Sequence, residues 1–176
     1  MLIDFPGVMT DFSKVLPGEF FIYIEEGKTA CGMKIFDAAS QKLDPESQVK
    51  VGVLSFSAAA HLSMTPPTIL ETQFQNRTVC VVRAVVIRLP FQANVLRSGS
   101  PSMDRPGTVI IAVGGTFIRG YDRTGCKDVN LSSGAVEQSR AHPGSVWLDN
   151  WEIILPLESG AHRLCERGNP AATGPT

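Results

Sequence analysis

The chain has 176 residues, 43% hydrophobic and 19% charged, with Lys+Arg 16 against Asp+Glu 17 and a formal charge of -1. That length supports one domain with its own core, needing neither disulfides nor metals, and the composition is too apolar for a solvated, disordered polymer. The balance of charge speaks against a general polyanion binder, because phosphate backbones are held by clustered Lys and Arg, so no nucleic acid is expected as a partner. No stretch reaches the roughly 18 uncharged apolar residues of a spanning helix, and the start "MLIDFPGVMTDFSK" lacks a basic segment followed by an apolar core. A cytoplasmic protein with no membrane partner is the expectation.

In chain order the signals are mostly strands. "EFFIYIEE" (Glu19–Glu26) follows Pro17-Gly18, is rich in aromatic and β-branched residues and ends at Gly27-Lys28, which predicts a strand and a tight turn. "ACGMKIFDA" then returns as its hairpin partner. "FDAASQKLD" allows a turn or two of helix before Pro45. "VKVGVLSF" (Val49–Phe56) is the next strand; after it "HLSMTPPT" reads as irregular, with Pro66-Pro67 enforcing extended backbone ahead of a further candidate strand at "ILETQFQ".

"TVCVVRAVVIRL" (Thr78–Leu89) is apolar on both faces, with Val79, Val81, Val85 and Ile87 on one and Cys80, Val82 and Val86 on the other. "LRSGSPSMDRPG" (Leu96–Gly107) is a Ser-, Gly- and Pro-rich connection, and "TVIIAV" (Thr108–Val113) is again a strand. "SSGAVEQSRAH" allows another short helix, closed by Pro143. "SVWLDNWEIILPL" (Ser145–Leu157) repeats the two-sided apolar pattern, and "RGNPAATGPT" has almost nothing to bury. No internal repeat is legible.

Strands joined by turns and loops, with few helical stripes, predict an all-β fold: a single antiparallel β-barrel or β-sandwich with at most short helices and long irregular loops. Residues 1–166 are expected to form one β-rich domain and 167–176 a flexible C-terminal tail. Phe20, Ile22, Val51, Val53, Val81, Val85, Ile110, Trp147 and Ile153 are the predicted core.

The stretch "GTVIIAVGGTFIRGYDRTG" (Gly107–Gly125) has the look of a phosphate loop, since Gly115 and Gly120 carry the P-loop separation. The Lys and Ser or Thr that must follow are replaced by Tyr121 and Asp122, and an acidic residue repels phosphate. No nucleotide and no cofactor are expected. Cys31, Cys80, Cys126 and Cys165 are too widely spaced for a zinc site, and His61, His142 and His162 lack partners at metal-ligand spacing, so no metal is expected.

Two chemical candidates remain. Arg119, Tyr121 and Arg123 offer two guanidinium forks and an aromatic face to an anionic or planar ligand; solvated loop charges pairing with Asp122 and Asp128 explain the same letters. Cys126, beside Lys127, with His142 and a nearby Asp is the candidate thiol nucleophile. The preferred reading is a non-catalytic β-domain acting in self-assembly or protein–protein interaction, with a homo-oligomer first and another protein second as partner. Its motive is the apolar surplus on the two double-faced strands, with Val82 and Val86 as the surface that a second copy covers. The alternative is a small β-barrel that binds or transforms a small molecule at the loop around Arg119–Cys126.

Overall fold

The computed structural model describes residues 7–25, 27–38, 51–56, 67–71, 76–89, 97–98, 106–157 and 160–167. The chain is all-β, as its patterning predicts. The strands are β1 (Gly7–Asp11), β2 (Phe20–Glu25), β3 (Lys28–Asp37), β4 (Val51–Ser55), β5 (Thr68–Glu71), β6 (Thr78–Val82), β7 (Val86–Arg88) and β8 (Arg97–Ser98). They continue as β9 (Val109–Ala112), β10 (Gly115–Asp122), β11 (Gly125–Asn130), β12 (Ala135–Gln138), β13 (Val146–Leu148), β14 (Trp151–Leu157) and β15 (Gly160–Arg167). One 3-10 turn, Phe12–Lys14, follows β1.

Six strands close into a barrel in the order β3, β4, β5, β10, β11, β12. Each half of the wall is an antiparallel three-stranded meander, and a meander of three ends running the way it began. The two meanders join through parallel contacts, β5 with β10 at Thr68–Tyr121 and β12 with β3 at Ala135–Phe36. The expected barrel is thus not antiparallel throughout. Strands β1, β6 and β2 extend the sheet from β3, while β9, β13 and β8 extend it from β10. A second sheet, β15-β14-β7, stands apart.

These registers superpose one half of the chain on the other. Phe20 pairs Met33 and Phe21 pairs Gly32; Val109 pairs Ile118 and Ile110 pairs Phe117 in the same relation. Leu54 sits between Met33 and Ile69 as Val129 sits between Ile118 and Val136. Phe20 pairs Val82 as Val109 pairs Leu148, and Val8 pairs Val81 as Arg97 pairs Trp147. Irregular hydrogen bonds repeat too. Lys34 N–H donates to Glu19 O at 3.0 Å and Arg119 N–H to Thr108 O at 2.9 Å; Phe56 N–H donates to Cys31 O at 3.0 Å and Leu131 N–H to Thr116 O at 2.9 Å.

Strands β1–β7 thus correspond one by one to β8–β14, and equivalent residues Ile87 and Ile153 face each other where β7 pairs β14. The two-fold axis that carries β3 onto β10 without reversing it reverses β7 into β14, so the small sheet lies across the axis. Its Trp151 and Ile153 join Met33, Leu54, Ile118 and Val129 in one buried cluster.

The sequence shows this repeat only in fragments. "PGEFFIY" (17–23) matches "PGTVIIA" (106–112), with Gly18 at φ 86° and Gly107 at φ 81° using the freedom that glycine alone has there. The connections break the period: residues 38–50 join β3 to β4, but only 123–124 join β10 to β11.

Several expectations change. The double-faced stretch 78–89 is two strands, β6 in the main sheet and β7 in the small one, and 145–157 is likewise β13 and β14. A strand that turns a corner between sheets buries one face in each: Val82 is 3% exposed and packs with Ile22 and Leu155, while Val86 stays 46% exposed. "SSGAVEQSRAH" holds strand β12 where a helix was expected, because Val136 and Glu137 are drawn into pairing with Val129 and Asp128. Of the predicted core, Ile22, Val53, Val81, Ile110, Trp147 and Ile153 are buried; Phe20, Val51 and Val85 are half-buried against it. The stretch 39–44, most of 96–107 and the tail from 168 lie outside the described residues.

Candidate functional site

The stretch read as a charged loop after Gly115 is the ribbon β10–β11. Its turn forms because Asp122 Oδ1 accepts hydrogen bonds from Thr124 N–H and Thr124 Oγ, each at 2.7 Å. Alternation along β10 sends Ile118 and Gly120 into the barrel and Phe117, Arg119 and Tyr121 to its outer face. Arg119 and Tyr121 share that face, Tyr121 half-buried; Arg123 lies in the turn, exposed.

Arg119 is fully buried, at 0% exposure. Directly across the ribbon stands Asp128, 1% exposed, whose Oδ1 accepts from Arg119 Nε at 2.7 Å and whose Oδ2 accepts from Nη2 at 3.3 Å. Residues 139–145 close over the pair. Arg140 N–H and His142 Nε2 donate to the same Oδ2 at 3.2 and 2.9 Å, and Arg119 Nη2 donates to Arg140 O at 3.3 Å. An ionised carboxylate only accepts, so the His142 proton sits on Nε2. Phe117 packs on the imidazole with ring centroids 4.9 Å apart.

The arrangement satisfies both carboxylate oxygens and leaves the ion pair compensated, which a buried pair requires. Chemically it is a clamp that fastens 139–145 to the barrel wall. The Asp missing from the thiol candidate is Asp128, and Cys126 lies on the same face of β11, half-buried. His142 is 7% exposed beneath its own loop. The pairing was within reach of the sequence: a two-residue turn at Arg123–Thr124 sets Arg119 opposite Asp128.

The equivalent residue in the first half, Lys34, is also buried. Its ammonium donates to Val15 O at 2.6 Å, Phe12 O at 3.1 Å and Ser13 O at 3.3 Å, and lies 4.9 Å from the Phe12 ring centroid. Burial lowers its pKa below the ordinary lysine range, partly opposed by the charge of Glu19. Nearby, Tyr23 Oη and Ser55 Oγ are 3.1 Å apart, and burial raises the phenol's pKa. Among the described residues no group of three or more His, Cys, Asp or Glu side chains is placed to hold a metal ion, and no helix is long and apolar enough to cross a membrane.

Compared with protein-family models, with curated proteins and with solved structures, the chain matches none.

Proposed function

We propose that the protein is a non-catalytic β-domain that works by assembling with another protein surface, in the first place a second copy of itself. The observation that carries this reading is where the apolar surface lies. Of the large hydrophobic side chains left exposed among the described residues, Val8, Met9, Leu16, Ile24 and Val86 belong to the first half and Val113 alone to the second. Two halves of one fold have the same structural needs, so an apolar surface on one of them serves something outside the chain.

The small-molecule reading has less support. Met33, Ile35, Leu54, Ile118 and Val129 fill the barrel, and the Arg119 fork is engaged by Asp128. Sedimentation of the full chain at micromolar concentration tests the proposal. A mass clearly above the 19.0 kDa of one chain is expected; a mass that stays there at every concentration removes it.

A further inference from the structure

We infer that the outer edge of β1 is a two-fold docking edge whose occupant is the same edge of a second copy, an inference that rests on the assembly reading above. The two ends of the main sheet are equivalent, β1 closing one and β8 the other. They are treated differently. Where the β8 edge is described, at Arg97–Ser98, it presents Arg97, which stacks over Trp147 at 5.0 Å. A charged side chain is a common way of blunting an edge against pairing.

The β1 edge, "GVMTD", has five residues with no Lys and no Pro. Val8 stands where the other half has Arg97 and Met9 where it has Ser98, at 53% and 66% exposure. The second half is an internal control: the fold forms there with polar residues at these positions, so folding does not require Val8 or Met9 to be apolar. No other strand flanks β1 beyond β6 among the described residues.

A second copy suits this edge for three reasons. Its own unblunted backbone supplies the complementary hydrogen bonds. Antiparallel pairing centred on Met9 sets Asp11 opposite Gly7 of the other copy and opposes no like charges. Ile24, 64% exposed, adds a further apolar side chain on the Met9 face two strands inward. Because the same edge is used by both copies, the contact is isologous and closes at a dimer.

The test substitutes the residues that β8 carries, Val8→Arg with Met9→Ser, and follows mass by sedimentation equilibrium and fold by circular dichroism. The wild type is expected at twice 19.0 kDa, and the double variant at one chain's mass with an unchanged spectrum. Loss of two apolar anchors should raise the dimer dissociation constant about 100-fold. Val113→Ser, at the exposed apolar residue of the second half, should leave the dimer intact. A monomeric wild type defeats the assembly reading and this edge together. A double variant that dimerises as tightly as the wild type defeats the edge alone, as does a dimer lost in Val113→Ser. Should the double variant misfold, Met9→Ser decides: an unweakened dimer overturns the assignment.

Discussion

Lys34 and Arg119 occupy the same position in the two halves of the barrel, each on its outer face and each buried, yet they are neutralised by different means. Opposite Arg119 stands Asp128; at the equivalent place opposite Lys34 stands Val53. With a carboxylate across the ladder, a planar guanidinium forms a two-pronged pair and ties down residues 139–145 through Arg140 and His142. With an apolar neighbour, a compact ammonium reaches the carbonyls of the 3-10 turn and ties down the segment after β1. One backbone site thus serves as a clamp twice, and the cross-strand neighbour decides which chemistry the clamp uses.

Breaking the second clamp should do the most damage. Asp128→Ala strands a fully buried guanidinium and should cost about 3–5 kcal/mol, the usual penalty for removing one partner of a buried pair. Urea denaturation measures it. Pairing Asp128→Leu with Arg119→Met should recover most of that loss, because no charge is then left without a partner. If the double substitution is as damaging as the single one, the cluster is more than a clamp.

Lys34→Met should come next, at about 3 kcal/mol, because Ser13 O and Val15 O lose their donor while Phe12 O keeps the Val15 N–H. The damage should be local. Hydrogen exchange is expected to rise first in residues 7–15, with 139–145 unaffected; a rise in both would mean that the halves do not clamp independently.

Gly120 sharpens the comparison inside the barrel. Its φ lies outside the left-handed region, so its role is not conformational; a Cβ there would meet Leu54 Cδ1 at 2.8 Å and Ile69 Cγ1 at 3.1 Å. The first half places Ile35 at this position and the second half has the smaller Val129 and Val136 where the first has Leu54 and Ile69. Volume is therefore traded between halves across the barrel. Gly120→Val should cost about 1–3 kcal/mol by overpacking, and adding Leu54→Val should return part of it. Strict additivity of the two in melting experiments would refute the trade.

The smallest effect is alkaline and belongs to the first half. Between the lowered pKa of Lys34 and its ordinary value of 10.5, the folded state releases a proton that the unfolded state keeps, so stability from this group rises with pH. Tyr23 acts oppositely. Between 10.0 and its raised value the unfolded state releases the proton first, so its contribution is full below 10.0 and is lost as pH climbs through the folded pKa. Relative to the wild type, Tyr23→Phe should flatten the alkaline fall in stability and Lys34→Met should steepen it. Equal slopes in all three proteins would assign the alkaline response elsewhere.

Period-two patterning and turn residues determined much of this molecule locally. The β2–β3 hairpin, the strands at 51–55 and 109–112 and most of the core follow from which side chains alternate and where Gly and Pro interrupt them. Tertiary pairing decided the rest. "AVEQ" is a strand because it has β11 on one edge and β3 on the other, and the double-faced apolar stretches are each two strands, one in either sheet. Arg119 reads as a solvent charge until Asp128 is set across from it and residues 139–145 close above. The repeat itself is a relation among registers, and unequal connections erase its period from the sequence; pairing between distant strands is fixed by burial of shared faces, which no local stretch of residues encodes.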